Sequence, residues 1–452
     1  MPMKRFVPAV LLCAILAGCA TQPTDIPDNG LISQQAIAEQ YRVDREWWKG
    51  YGDARLNAMV DHALANNIDL RKSAISVNRA LYQANLLGEN LVPEFSAGAD
   101  ASVKKNLQKG VTTHNYGADI GINYELDLWG RLRDAASAQE WEYKATKLDL
   151  ESSRLALINN VIDGYFNLVY IKQAIKITRQ NIDFYTKLED ISKRKFKVGT
   201  VDVSDPLNAE KALLGEKDAL ASYEVQRKTA EQMLRNLLNL RPEDPLDTVT
   251  DDLLAIPLIG VDLNVPVAAL GLRPDVKAAE FRIQSAFMDW NAAKKDLYPS
   301  ISIGGSLGVS SNRAHTMFNS PNLNGMVQLN LPFLQWNKLR WNIKLSEAAF
   351  EDAKLGLTSA VNTALNEVDT YYYSYEKARA QIGIARQKYQ NDARISAYSH
   401  KRYQVGTYEM KDWLQARCSE NQSMMSLLAK KYETIKDENA VYKALGARIY
   451  ND

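Results

Sequence analysis

The sequence predicts a mainly α-helical chain that also contributes four strands to a membrane β-barrel, closed as twelve strands in a trimer. Three observations predict this class. The chain contains a long internal two-fold repeat, and each half of it carries two segments of alternating apolar residues. Each half also carries a long proline-free stretch with apolar residues seven positions apart. Period two is typical of strands, and spacing by seven is typical of helices that pack as coiled coils.

The internal repeat is clearest in one short block. Residues 198–209, VGTVDVSDPLNA, recur without a gap as residues 405–416, VGTYEMKDWLQA, 207 positions later. This period exceeds that of stacking modules such as solenoid repeats, so the repeated unit is half of the molecule. We expect a first repeat over 53–260, ending in a connector, and a second repeat over 261–452. Two similar halves commonly line a shared axis or surface.

The N-terminus predicts export and a lipid anchor. Residues 1–18 combine two basic residues with a short apolar run, as in a secretory signal peptide. The run ends in Leu-Ala-Gly-Cys, which resembles a bacterial lipobox, so Cys19 is the expected site of acylation. The alternative is an ordinary signal peptide with an incidental cysteine. Ala20 favours the outer membrane as the destination, and residues 19–52 are expected to form the lipid anchor and a tether.

Composition excludes several classes of protein. The 452 residues carry a formal net charge of +1, which provides no basic field for a nucleic-acid partner. The three cysteines are Cys13 in the predicted signal, Cys19 and Cys418, so a disulfide framework is not expected. After the signal, apolar runs are shorter than the roughly 18 residues of a membrane-spanning helix. Strands are therefore the expected membrane-spanning elements.

The first repeat opens with a helix and a hairpin. Apolar residues recur on one side of a predicted helix over about 53–90, and Pro93 ends it. Apolar residues then alternate with small or polar ones over 95–103 and 116–126. A polar tip joins these segments, so a β-hairpin is expected over 95–126.

The second repeat has the same order of elements. After a helix, alternating segments at 301–309 and 323–331 predict a hairpin over 300–333. Strands of about 9–11 residues span a bilayer when tilted, and alternation of apolar with small residues is typical of barrel strands. An ordinary half-buried sheet of a soluble protein is the alternative.

A long helical hairpin follows each β-hairpin, over 131–240 and 341–447. The long helices, about 131–198 and 341–405, lack proline and would each extend roughly 100 Å. Heptad-spaced apolar residues predict coiled-coil seams, with Leu148, Leu155, Ile162 and Val169 in the first helix and Val361, Val368, Tyr375, Ile382 and Tyr389 in the second.

Both long helices end at the repeated Val-Gly-Thr turn. Gly199 and Gly406 stand where a residue in the left-handed conformation is needed to end a helix. The returning helices are expected at about 204–240 and 411–447.

Four strands imply an oligomer if they cross a membrane. An unpaired backbone group in hydrocarbon costs several kcal/mol, so the sheet must have no open edge. Single-chain barrels begin at about eight strands. Copies of the chain must therefore close the sheet, with eight strands in a dimer or twelve in a trimer. The trimer is the form with an open duct, because a barrel of about eight strands is filled by its own side chains.

An ordered set of segments resembles the TolC family of outer-membrane efflux lipoproteins. The segments are 64–70, 125–133, 273–276 with Ala279 and Glu280, 298–300, and the two Val-Gly-Thr turns. The resemblance covers almost the whole mature chain. It implies a homotrimer with a twelve-stranded barrel and a periplasmic helical barrel. It also implies a periplasmic adaptor and an inner-membrane pump as partners in tripartite drug or metal efflux.

The resemblance also implies a channel entrance at the helical tips. In many members, aspartates facing the axis close it, and the matching positions here are Asp412 and Asp205. The chain departs from the family where a second aspartate is frequent, because Gln415 stands there, and Trp413 and Cys418 are also atypical. Asp205 has an alternative explanation as the N-cap of its helix. Asp412 is less easily explained as a cap, since the polar turn already begins at Gly406.

Catalysis and metal binding are not expected. The four histidines are scattered, and phosphate-binding loops and serine nucleophile elbows are absent. The expected function is a passive outer-membrane exit duct for drugs or other small molecules, lipid-anchored in a Gram-negative bacterium with a long periplasmic extension. The lipid on Cys19 is the only expected covalent group. The alternatives are the duct of a type I protein-secretion system and a periplasmic structural lipoprotein without a pore.

Overall fold

The computed structural model describes residues 42–246, 250, 252–262, 264, 265 and 267–450. The predicted signal peptide, Cys19 and the first part of the tether lie outside the described residues. The described elements are, in chain order, β1 (Arg42–Asp44), α1 (Ala54–Asn66), α2 (Ile68–Gly88), β2 (Glu94–Lys105), β3 (Thr112–Leu126), α3 (Arg131–Lys197), α4 (Ser204–Leu238), α5 (Pro274–Lys295), β4 (Ser300–Ser311), β5 (Pro321–Asn330), α6 (Trp336–Gln404), α7 (Met410–Leu445) and β6 (Arg448–Tyr450). None of the described helices is both long enough and apolar enough to cross a membrane.

The helices and strands fall into two compact units. The first contains Ala74–Asp149 and Asp275–Ala360, and the second contains the described parts of 30–73, 150–274 and 361–452. The predicted fold class, mainly helical with four long strands and an internal repeat, is confirmed. Closure of a barrel stays a prediction, and so do the predicted repeat boundaries.

The first unit contains one antiparallel sheet in the order β2-β3-β4-β5. The central pairing of β3 with β4 joins the two predicted hairpins, for example through Ile120 opposite Leu307. Large apolar side chains on this sheet are exposed, including Phe95 on β2 and Leu323 on β5. The outer edges of β2 and β5 pair with no other described strand.

Glycines lie opposite aspartates in the pairing of β2 with β3. Gly117 lies opposite Asp100, and Gly98 lies opposite Asp119. A Cβ atom at Gly117 would lie 2.5 Å from Asp100 Oδ1, closer than van der Waals contact allows. The alternation of apolar with small residues that predicted the hairpin thus makes room for carboxylates on the polar face.

The helices of the first unit pack around α5. Ser285 Oγ donates a hydrogen bond to Ala138 O of α3 at 2.8 Å, and Arg282 pairs with Asp149. On the α6 side, Trp290 stacks on Phe350 with ring centroids 5.6 Å apart.

The second unit contains the main hydrophobic core. Heptad positions of α3, such as Ile162 and Val169, are buried there with the aromatic residues of the turn Trp47–Tyr51. The seam of α6 is likewise buried at Val368 and Tyr375. The predicted coiled-coil spacing therefore identifies buried positions of both long helices.

A fully buried carboxylate lies in this unit beside the core. Glu438 Oε2 accepts from Tyr51 Oη at 2.8 Å, and Oε1 accepts from the Gly260 N–H at 2.5 Å. Burial raises the pKa of Glu438, and those hydrogen bonds oppose the rise. Nearby, Lys431 Nζ donates to Ile256 O at 2.6 Å, and burial lowers its pKa to about 8. These contacts tie the N-terminal turn and the connector to α7.

The single helix predicted over 53–90 is wrong at one position. Asn67 has extended backbone angles and separates α1 from α2. Its Oδ1 accepts from the Leu70 N–H at 2.9 Å, which caps α2, and its Nδ2 donates to Leu237 O at 2.8 Å. The break is therefore stabilised by a cap and by a bond to α4.

Candidate functional site

The two helical tips have the same backbone turn. Gly199 and Gly406 have φ angles of 74° and 76°, as predicted for their positions after the long helices. The Thr200 N–H donates to Lys195 O at 3.0 Å, and the Thr407 N–H donates to Arg402 O at 2.9 Å. Because glycine has no Cβ, it adopts this conformation at no steric cost, which explains its presence at both tips. The repeat therefore extends to individual hydrogen bonds.

Reciprocal ion pairs join the two tips. Lys195 at the end of α3 binds Glu409, which precedes α7. Lys411 of α7 binds Asp205 of α4, with Nζ 3.3 Å from Oδ2. Each hairpin thus supplies one cation and one carboxylate. The hydrogen bond and charge of Lys195 lower the pKa of Glu409. Sequence patterns did not predict these pairs, because spacing along one helix carries no information about the neighbouring hairpin.

Asp412, and not Asp205, has a capping role at the start of its helix. The N-cap position of α4 is Val203, without a side-chain cap, so the explanation of Asp205 as an N-cap is wrong. Asp412 instead forms a capping box with Glu409: Asp412 Oδ2 accepts from the Glu409 N–H at 3.0 Å, and the Glu409 side chain accepts from the Asp412 N–H. The S/T-x-x-E pattern of a capping box appears here with two acidic residues, which conceals it in the sequence.

A cavity of about 750 Å³ lies just behind these tips, among α3, α4, α6 and α7. Glu216, Asp392, Lys388 and Gln415 are among its lining residues. Burial raises the pKa of Glu216, whose Oε2 accepts from Asn181 Nδ2 at 3.3 Å. The lining therefore carries both charge signs.

Apolar packing between α3 and α7 lies beside this cavity, and two of its residues, Leu188 and Cys418, line the cavity. The buried residues of this packing are Leu188, Leu414 and Cys418. Burial raises the pKa of the Cys418 thiol to about 11, so this atypical cysteine is a packing residue in its thiol form. The other atypical residue, Trp413, stacks on His400 with ring centroids 4.4 Å apart.

Metal ligands do not gather in the described part of the chain. Groups of three or more histidine, cysteine, aspartate or glutamate side chains suited to a metal ion are absent from the residues searched. Cys19, the predicted acylation site, lies outside the described residues.

Known proteins resemble the chain over almost its whole length. The profile of the outer membrane efflux protein family matches residues 59–240 and 265–447, one segment in each repeat. Toxin and drug export protein A of Aggregatibacter actinomycetemcomitans is 40% identical over 450 residues, covering 98% of both chains. The pyoverdine export outer membrane protein OpmQ of Pseudomonas aeruginosa is 25% identical, covering 100% of this chain and 98% of OpmQ.

Solved structures share the fold. The outer-membrane channel OprN has a TM-score of 0.81 at 23% identity, covering 95% of this chain and 99% of OprN. The CmeC outer membrane channel of Campylobacter jejuni has a TM-score of 0.81 at 24% identity, covering 95% of each chain. The resemblance noted in the sequence is confirmed. The chain belongs to the outer membrane efflux protein family, whose members are export channels and not enzymes.

Proposed function

We propose that three copies of this chain form an outer-membrane exit channel, with twelve strands closing one barrel. The observation that carries this proposal is the sheet with two open edges, β2 and β5. In hydrocarbon, each unsatisfied backbone group on such an edge costs several kcal/mol. Pairing β5 of one copy with β2 of the next removes both edges, and three copies leave a lumen.

We propose small molecules, including drugs, as the transported class. Support comes from the relatives, which include the antibiotic efflux pump outer membrane protein ArpC of Pseudomonas putida, 24% identical over 99% of this chain. The duct is passive in this proposal. A periplasmic adaptor and an inner-membrane pump supply selection and energy.

The entrance is proposed at the helical tips, with Asp205 and Asp412 as its charged residues. Gly199 and Gly406 are the turns that move when an adaptor docks. Asp205 supports the proposal through its ion pair with Lys411, and Asp412 through its exposed carboxylate. Asp412→Ala should alter ion conductance in planar bilayers and weaken block by trivalent cations. Unchanged conductance and block in both Asp412→Ala and Asp205→Ala would place the gate elsewhere.

The lipid anchor is proposed at Cys19, and it places the chain in the outer membrane of a Gram-negative cell. Cys19→Ala should abolish incorporation of radiolabelled palmitate while the strands still insert. Label that persists in the variant would contradict the assignment.

Oligomeric state tests the channel directly. Native mass spectrometry of detergent-extracted protein should give a trimer, and planar bilayers should show a conducting pore. A monomer or dimer that does not conduct would overturn the proposal. In the native host, deletion of the gene should raise the accumulation of ethidium, and complementation with the wild-type gene should reverse it.

Export of a protein toxin is the second candidate. One observation favours it: the relative at 40% identity is named a toxin and drug export protein. The deletion strain separates the two functions. Loss of a secreted protein from the medium without a change in ethidium accumulation would favour protein secretion.

A further inference from the structure

One end of the four-stranded sheet carries a concentration of positive charge. Residues 103–116 surround the turn from β2 to β3, and residues 309–322 surround the turn from β4 to β5. The two stretches lack aspartate and glutamate, and their cations are Lys104, Lys105, Lys109 and Arg313. All four residues are exposed, and no ion pair within the described part of the chain neutralises them. The whole chain has a net charge of only +1, so this end of the sheet is distinctly basic.

The strand register places Lys105 and His114 on the apolar face of the sheet. Directly opposite residues of antiparallel strands share a face, and every second residue of a strand returns to it. Ala97 lies opposite Ile120 on the apolar face, and Val103 lies opposite His114. Val103 follows Ala97 by six residues, so it lies on that face with His114. Lys105, two residues further, also lies there.

Lys104 lies on the other face. It follows Asp100 by four residues, and Asp100 shares the polar face of β2 and β3 with Asp119. Lys104 and Lys105 are therefore adjacent, exposed lysines that differ in the face of the sheet they occupy.

The length of the apolar face matches the apolar band of an outer-membrane barrel. Phe95 begins this face on β2, is 75% exposed, and precedes Lys105 by ten residues. Ten residues of strand extend roughly 34 Å, which is about 25 Å along the membrane normal at a tilt of about 45°. The lipid-facing band of such barrels is also about 25 Å tall. With Phe95 at one edge of the band, Lys105 lies at the other edge, level with lipid headgroups.

The opposite end of the sheet is aromatic. Trp129 packs on Tyr298 with ring centroids 5.1 Å apart, and its Nε1 donates to Pro299 O at 2.8 Å. Trp336 and Trp341 are exposed at the start of α6. Tryptophan and tyrosine are typical of the interface between a membrane and water. The two ends of the sheet are therefore suited to different headgroups.

The proposed channel assigns these ends to the two leaflets. The long helices α3 and α6 begin at the aromatic end, and in the proposed channel they extend into the periplasm. The basic end therefore faces the outer leaflet.

We propose that the basic end of the sheet binds the phosphate groups of a phosphorylated glycolipid in the outer leaflet. Lys105 and His114 face the lipid, and Lys109 and Arg313 lie in the adjoining turns. Ammonium and guanidinium groups donate charge-assisted hydrogen bonds to phosphate, and an imidazole N–H can donate another. This inference rests on the proposed function, which supplies the membrane and its orientation.

The surroundings of Lys105 favour a lipid over a soluble anion. Val103 is 66% exposed on the same face, two residues nearer the centre of the apolar band. An acyl chain below the phosphate can pack on Val103, whereas a free anion gains nothing from it. The turn beside this site is ordered, because Asn106 Oδ1 accepts from the N–H groups of Gln108 and Lys109, each at 3.0 Å.

Titration with bisphosphorylated lipid A, followed by native mass spectrometry of the detergent-extracted protein, tests the site. Lys105→Gln should raise the Kd for lipid A roughly tenfold, because a hydrogen bond between two charged groups is lost. Lys104→Gln is the matched control and should change the Kd less than about twofold, since it removes the same charge from the other face. Equal effects of the two substitutions, or an unchanged Kd in Lys105→Gln, would overturn the proposal.

Removal of a phosphate from the lipid tests recognition of that group. Monophosphorylated lipid A should bind wild type more weakly than the bisphosphorylated form, and this difference should shrink in Lys105→Gln. The same difference in both proteins would contradict a contact between Lys105 and phosphate. Excess inorganic phosphate should leave lipid A bound. Displacement by inorganic phosphate would identify a site for a free anion and overturn the lipid as ligand.

Two further readouts separate this proposal from the proposed channel. The same spectra report the oligomeric state. In intact cells, a membrane-impermeant maleimide should label Lys109→Cys, whereas Lys401→Cys on α6 should react only after the outer membrane is permeabilised; wild type controls for the native cysteines. Labelled Lys109→Cys and trimers that bind no lipid A would overturn the lipid site and leave the channel intact. Monomers, or Lys109→Cys labelled only after permeabilisation, would overturn the proposed channel as well.

Discussion

Asp205→Asn is expected to favour the open state of the channel entrance. The substitution removes the carboxylate that binds Lys411 and thereby joins the two hairpins. About a third of each side chain is exposed, 30% for Lys411 and 35% for Asp205. An ion pair of this exposure contributes about 1 kcal/mol at most, equivalent to about fivefold in an equilibrium constant. If the three pairs of a trimer break together, the opening equilibrium changes by up to roughly a hundredfold.

Single-channel recording in planar bilayers measures this shift as open probability. The effect of Asp205→Asn should shrink from 0.1 M to 1 M salt, because the Debye length falls from about 10 Å to about 3 Å. Asp412→Asn is the matched control, since it removes a charge at the same tip, leaves the Asp205–Lys411 pair intact and keeps an oxygen that can accept from the Glu409 N–H. Unchanged opening in Asp205→Asn, together with increased opening in Asp412→Asn, would refute the role of the ion pair.

Three further predictions concern stability of the detergent-extracted protein. Gly406→Ala should lower the melting temperature, because alanine at a φ of 76° costs about 1 kcal/mol. Gly215→Ala inside α4 should raise the melting temperature, because alanine favours a helix and its Cβ would meet no atom within 4 Å. Glu438→Ala leaves the Tyr51 hydroxyl and the Gly260 N–H without their acceptor, so it should lower the free energy of unfolding by about 3 kcal/mol. The control Glu433→Ala, at a half-exposed side chain, should lower it by less than about 0.5 kcal/mol. Burial lowers the pKa of Lys431 to about 8, so between pH 8 and 10.5 the unfolded state binds more protons and stability rises with pH. The melting temperature of wild type relative to Lys431→Met should therefore rise over this range, and a pH-independent difference would refute this.

The elements of the fold were predictable because two periods dominate the sequence. Alternation found all four strands of the sheet, and seven-residue spacing found both long helices. Strand ends were less predictable: β3 begins at Thr112, although alternation indicated 116, because Thr112 pairs with Lys105 through backbone bonds that do not depend on polarity. The break at Asn67 was missed because helix-forming sequence continues on both sides, although an N-cap amide was a usable signal.

The candidate site was predictable only where backbone conformation dictates residue type. Gly199 and Gly406 are such positions, since each needs a positive φ angle. The ion pair of Lys195 with Glu409 was not predictable, because it depends on how two hairpins lie side by side. The different roles of Asp205 and Asp412 were not predictable for the same reason. Both residues follow the same turn, but Asp205 binds Lys411 and Asp412 forms a capping box with Glu409.

Repeat symmetry explains why that lysine matters. Under the 207-residue offset Asp205 corresponds to Asp412, whereas Lys411 corresponds to Ser204, which has no charge. The Asp205–Lys411 pair therefore joins the two hairpins of one chain, whereas the equivalent positions of the other repeat, Asp412 and Ser204, offer no ammonium group. Neutralising Asp205 removes the contact between the hairpins, but neutralising Asp412 leaves it in place. For this reason Asp205→Asn should ease opening more than Asp412→Asn.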